Sequence, residues 1–105
     1  MQQSTSESIQ MIISHSRAAK NSISECFTLM KARNFSAAEQ KMQEITELLE
    51  KAQGLEKQLL AKQAMGDQSI EADRLLYAST HLLTISILFE AAVEMEQLYK
   101  LGYSC

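Results

Sequence analysis

Tyr77, Ser79, Thr80 and His81 break an otherwise apolar run from Leu75 to Phe89, and they are the residues with most to say about chemistry. A neutral imidazole can attack an electrophile, bind a metal or exchange a proton near neutral pH. His81 follows Tyr77 by four residues, so on a helix the two side chains share a face. Two readings of His81 stand side by side. In one it is a nucleophile. In the other it is a core ring, hydrogen-bonded to the Tyr77 hydroxyl. Tyr77 reads as a packed or rim aromatic with one polar end. His15, in Ser14-His15-Ser16-Arg17, has no supporting motif.

Other chemical signatures are absent. The sequence has no P-loop, no Gly-x-Ser-x-Gly, no His-Glu-x-x-His and no Cys-x-x-Cys. The net charge of -3 is mild, and Lys and Arg are scattered among Glu. That pattern argues against nucleic acid, which needs clustered cations. Cys26 lies in an apolar stripe and Cys105 at the terminus, so no disulfide framework is expected. Residues 1 to 8 are polar without basic residues, unlike a signal peptide. No apolar run of transmembrane length is evident. The expectation is one cytoplasmic domain over residues 1–105 that does not insert into a membrane.

The elements that must position these residues are helices. Proline is absent and glycine is limited to Gly54, Gly66 and Gly102. Ser4-Thr5-Ser6-Glu7 fits a capping box that opens a first helix ending around Arg33. Its apolar stripe is Ile9, Ile12, Ile13, Ala19, Ile23, Cys26, Phe27 and Met30. Asn34-Phe35-Ser36 makes the turn, with Asn34 suited to a left-handed backbone. Ser36-Ala37-Ala38-Glu39 reads as a second capping box. Helix two buries Ala38, Met42, Ile45, Leu49, Ala52, Leu55 and Leu59 and stops at Gly66. Its charged face reads as solvated, with pairs such as Glu47 and Lys51. The six methionines read mainly as packing.

Helix three should run from near Ser69 to about Lys100, with Gly102 beyond it. Leu75, Leu82, Phe89 and Val93 would face helices one and two. Leu76, Thr80, Leu83 and Ile87 form a second seam at coiled-coil spacing, the candidate subunit interface. A helix apolar on most faces must be buried on most faces, and two neighbours cannot cover them all. The expected fold is therefore all-α, an antiparallel up-down-up three-helix bundle that self-associates through helix three.

His81-Leu82-Leu83-Thr84 also resembles the third helix of the lactose/cellobiose-type enzyme IIA proteins of the bacterial sugar phosphotransferase system (PTS). That family's segment reads His-x-Gln-Asp-His-Leu-Met-Thr-x-x-Leu. Its first His carries the phosphoryl group and its Asp binds a metal ion. Here Tyr77 stands at the acceptor position, Ser79 at the Gln, Thr80 at the Asp and Ile87 at the final Leu. Asn34-Phe35-Ser36-Ala37-Ala38 resembles the family's Gly-Asp-Phe-x-x-Ala turn, and Leu98-Tyr99-Lys100 its ending, so the likeness covers nearly the whole chain.

The resemblance implies a homotrimer around the third helix. It also implies a carrier that takes phosphate from HPr and gives it to enzyme IIB during sugar uptake. Tyr77 does not suit that relay, because its hydroxyl has a pKa near 10 and a phosphotyrosine ester is too stable to pass its phosphate to a thiolate. Thr80 offers a metal no charge. The resemblance thus implies a scaffold degenerate at its phosphorylation and metal positions, with no metal or cofactor, acting through HPr, enzyme IIB or a regulator. The alternative is an active phosphocarrier in which His81 is the acceptor.

Overall fold

The computed structural model describes residues 4–102. It consists of α1 (Thr5–Lys31), α2 (Phe35–Ala64) and α3 (Ala72–Lys100), the expected three-helix, all-α architecture. Cys105 lies outside the described residues.

Capping sets the element boundaries. Ser4 is extended, and its hydroxyl accepts the Glu7 N–H at 3.1 Å, as its capping box predicts. The first turn departs from expectation. Arg33, not Asn34, takes the left-handed backbone, at φ 61°. The Arg33 N–H donates to the Met30 carbonyl and the Asn34 N–H to that of Leu29, which is a Schellman ending. Asn34 caps α2 in place of Ser36, its Oδ1 accepting the Ala37 N–H at 3.3 Å. Asn ranks at least equal to Ser as an N-cap and comes first in the chain. Glu39, freed from a capping box, pairs instead with Lys100 at 3.1 Å.

Gly66 ends α2 as expected, with φ 90°. α3 begins at Ala72, later than Ser69. The reason is local: Asp67 Oδ1 accepts both the backbone N–H and the hydroxyl of Ser69, so that serine closes a turn and caps no helix.

Three cross-links fix the register of α3 on α1. The Thr5 hydroxyl donates to the Ser69 carbonyl, Arg74 donates to the Ser6 hydroxyl, and Arg33 donates to the Tyr99 carbonyl. The partners are separated by 64, 68 and 66 residues, so α3 runs parallel to α1 without slipping. The antiparallel α1–α2 pair is tied by Lys41 to Glu25 at 2.9 Å. Lys41 also reaches Glu44, whereas Glu47 and Lys51 form no ion pair.

The bundle is flat, 52 × 23 × 15 Å. α1 is its centre: it packs widely on α2 and on α3, while α2 and α3 touch little. Ile9, Ile12, Ala19, Ile23, Cys26 and Met30 meet Ala38, Ile45, Ala52 and Leu59 in the core, all nearly or fully inaccessible. From α3 come Leu75, Ala78, Leu82, Ile85 and Ala92. Phe89 and Val93, expected in that seam, are only half-buried. Small alanines at 78 and 92 let α3 lie close on α1, and the larger side chains fall to the flank.

A consequence is that α3 is covered on one side. It is long and apolar enough, by length and composition alone, to cross a membrane, a property the sequence was not expected to show. Its uncharged centre escapes notice because the acidic residues bunch at its two ends.

Candidate functional site

The four polar residues of α3 do not form one constellation. Helical geometry sends Tyr77 and His81 to the α1 side and Ser79 to the α2 side, with Thr80 outward between them. The Tyr77 and His81 rings stack with centroids 6.3 Å apart and planes 23° from parallel. The hydrogen bond expected between them does not form; the two rings meet by stacking instead. His81 Nδ1 is buried and makes no hydrogen bond. Burial holds the His81 pKa below the usual histidine value, and the charges of Arg17 and Lys20 on α1 push the same way. The ring is therefore neutral at pH 7, the protonation state a nitrogen nucleophile needs. Tyr77 is 55% exposed.

On the other flank, Ser79 Oγ is buried without a partner. It borders a groove of about 340 Å³ between α2 and α3, lined by Gln53, Glu56, Thr80, Leu82, Leu83 and Ser86. The groove exists because α2 and α3 touch little. Thr80 is exposed, and its carbonyl accepts the Thr84 hydroxyl at 2.9 Å. A neutral hydroxyl on the outer surface of a helix does not supply the charged oxygen ligands a hard divalent cation requires. Among the described residues, no group of three His, Cys, Asp or Glu side chains could hold a metal. His15 lies in a separate depression with Met11, Glu50, Lys51 and Leu55, on the α2 side of α1.

Beyond Thr80, the outward face of α3 is apolar. Leu76, Leu83 and Ile87 are 67%, 61% and 56% exposed. These are the residues the second seam predicts, and with Thr80 they subtend one continuous stripe opposite Leu75, Ala78 and Leu82.

Spacing missed several residues. Ser16 is fully buried, its hydroxyl donating to the Ile12 carbonyl at 2.7 Å. That bond satisfies the hydroxyl within the helix and makes the serine equivalent to a small core residue. Glu96 is buried at the far end of α3, with Lys100 3.3 Å away. Burial and the Glu96 charge both raise the pKa of the neighbouring Cys26 thiol, which donates to the Ala38 carbonyl. A charged residue in an apolar stripe is a signal for such a clasp, and Glu96 falls in phase with Leu82, Ile85 and Ala92. Arg17 and Lys20 gave no signal in the sequence, since their proximity to His81 arises only from the α1–α3 register.

Comparison with known proteins sets this geometry in a family. Residues 7–100 match the family described as "PTS system, Lactose/Cellobiose specific IIA subunit". The chain is 26% identical over 91 residues to the "PTS system lactose-specific EIIA component" of Staphylococcus epidermidis, covering 87% of this chain and 88% of that protein. Among solved structures, "The crystal structure of PtcA from S. mutans" matches with a TM-score of 0.82 and 35% identity, over 90% of this chain and 93% of that one.

Proposed function

From the premise that this chain belongs to the PTS lactose/cellobiose-specific IIA family, we propose that it is a degenerate member that serves sugar uptake by binding partners, without relaying phosphate through the usual position. The observation that carries this reading is Tyr77, an exposed phenol at the acceptor position, packed on a neutral His81. Tyr77 has the wrong leaving-group chemistry for a relay, since its phosphate ester would not transfer to a thiolate. The partners of this reading are HPr and enzyme IIB, or a regulator that reads their state. The working form is a cytoplasmic homotrimer in which the stripe of Leu76, Thr80, Leu83 and Ile87 packs on its copies. That packing, and no lipid, would cover the apolar side of α3. Removal of the charge at position 80 leaves three neutral hydroxyls near a trimer axis, where no cation is needed to offset repulsion.

Incubation with phosphoenolpyruvate, enzyme I and HPr, followed by intact-mass analysis, tests the proposal. The expected result is no phosphate adduct while an ordinary family member is labelled in parallel. An adduct that can be chased onto enzyme IIB would overturn it.

One observation favours a second reading: His81 is neutral, with an unengaged buried nitrogen. Under that reading His81 is the acceptor, and His81→Ala abolishes an acid-labile adduct that Tyr77→Phe leaves intact.

A further inference from the structure

Nothing within the chain calls for glycine at position 54. Gly54 lies inside α2, its backbone is ordinary helix, and a Cβ there would meet no atom within 4 Å. Glycine is the least favourable residue after proline in a helix interior, because it loses the most backbone freedom on folding. Gly54 also sits opposite Ile45, Ala52 and Leu59 on the helix, so it faces away from the core. A hollow lies on each flank of it. One, of about 590 Å³, is bordered by Glu50, Gln53 and Lys57. The other, of about 300 Å³, is the depression beside His15. An exposed glycine between two hollows suits the close approach of another backbone.

Two charges frame it. Glu50 stands four residues before Gly54 and Lys57 three residues after, on the same exposed face of α2. Seven residues span about 10.5 Å of helix, so the two cannot pair with each other. Among the described residues neither forms an ion pair, whereas Lys41 and Lys100 each bridge two glutamates.

From this arrangement we propose that the outward face of α2 is a contact for a second copy of this chain, in which two α2 helices cross antiparallel at Gly54. Charge order selects both the partner and the direction. In an antiparallel crossing, residues before Gly54 meet residues after it on the other copy. Glu50 then comes beside Lys57 of the partner subunit, and the two-fold axis repeats the pair in the other sense. A parallel crossing would set like charges together. A face that carries acid, glycine and base in this order is its own complement. The contact uses no residue of the α3 stripe, so it links one proposed trimer to another and does not compete with trimer formation. Its ion pairs lie near solvent and are screened by salt.

The test is sedimentation velocity of the full chain from micromolar to submillimolar concentration at low salt. The particle seen at micromolar concentration should associate further as concentration rises, and added sodium chloride should reverse this. Glu50→Lys and Lys57→Glu should each weaken that association by about tenfold or more, since each sets like charges together twice in the symmetric contact. The two changes combined exchange the sense of the pairs and should restore it. A general charge effect would instead move the single variants in opposite directions, because one makes the chain less negative and the other more. Gly54→Ala should raise the melting temperature, since alanine favours helix, and still weaken the association. All three positions are exposed, so helicity should stay unchanged. Only growth beyond the micromolar particle is read, so the outcome does not depend on whether that particle is a trimer. No further association, association indifferent to the single reversals, or failure of the combined reversal to restore it would overturn the proposal.

Discussion

The two faces of α3 carry similar residues and meet opposite fates. Leu75, Ala78, Leu82, Ile85 and Ala92 are buried against the rest of the chain. Leu76, Leu83 and Ile87, interleaved with them one or two residues away, face outward with more than half their surface exposed. Composition does not separate the two sets; phase around the helix does. The inner face is satisfied within one chain because α1 lies along it. The outer face has no neighbour, because a flat bundle with α1 in the middle gives α3 one partner helix. The comparison teaches that one side of α3 folds the chain, and that the other, left exposed, is the face the proposed trimer would use.

Several substitutions break or sharpen that contrast. The largest effect belongs to the inner face. Leu82→Ala deletes a side chain only 3% exposed and should lower unfolding free energy by about 2–5 kcal/mol, read by chemical denaturation. On the outer face, Leu83→Glu combined with Ile87→Glu should leave helicity by circular dichroism unchanged while converting the proposed trimer to single chains. Loss of helicity in that variant would mean that the outer stripe is needed to fold the chain.

A smaller effect lies between the faces, at His81. Its folded pKa is below its unfolded value of about 6.5, so in that interval the unfolded chain binds more protons. Stability therefore rises with pH there, and acidification through about 6.5 toward the folded pKa should lower the melting temperature. His81→Gln should flatten that part of the profile, as followed by thermal melts between about pH 5 and 8. The smallest effect tests the turn that sets α2 in place. Asn34→Ala should cost about 1 kcal/mol through loss of its cap, and Ser36→Ala should cost close to nothing.

Much of this fold is legible in spacing. In α1 and α2 a polar face opposes an apolar stripe, so Ile9, Ile12, Ile23, Ile45 and Leu59 declare their side of the helix. In α3 the apolar residues run nearly all the way round, and spacing alone gives no preferred phase. That is why Phe89 and Val93 were expected where Ala78, Ile85 and Ala92 make the contact. The outward stripe was nevertheless legible, because a heptad-like repeat has a phase of its own. Turn chemistry was less so: Asn34 and Ser36 are both competent caps, and the earlier one prevails, which leaves Glu39 to pair with Lys100. At the site, the sequence showed which residues were present and in what order. Helical spacing already separates Ser79 from His81; what it did not show is which flank faces α1 and which faces α2, nor that the Arg17 and Lys20 charges act on His81, since both depend on how α3 is laid against α1.

The proposed division of α3 into a folding face and an assembling face is tested most directly by sedimentation equilibrium of the unaltered protein at micromolar concentration. The outward stripe predicts a particle of three times the 11.8 kDa chain mass. A stable single chain, with its helicity intact and Leu76, Leu83 and Ile87 left in water, would contradict it.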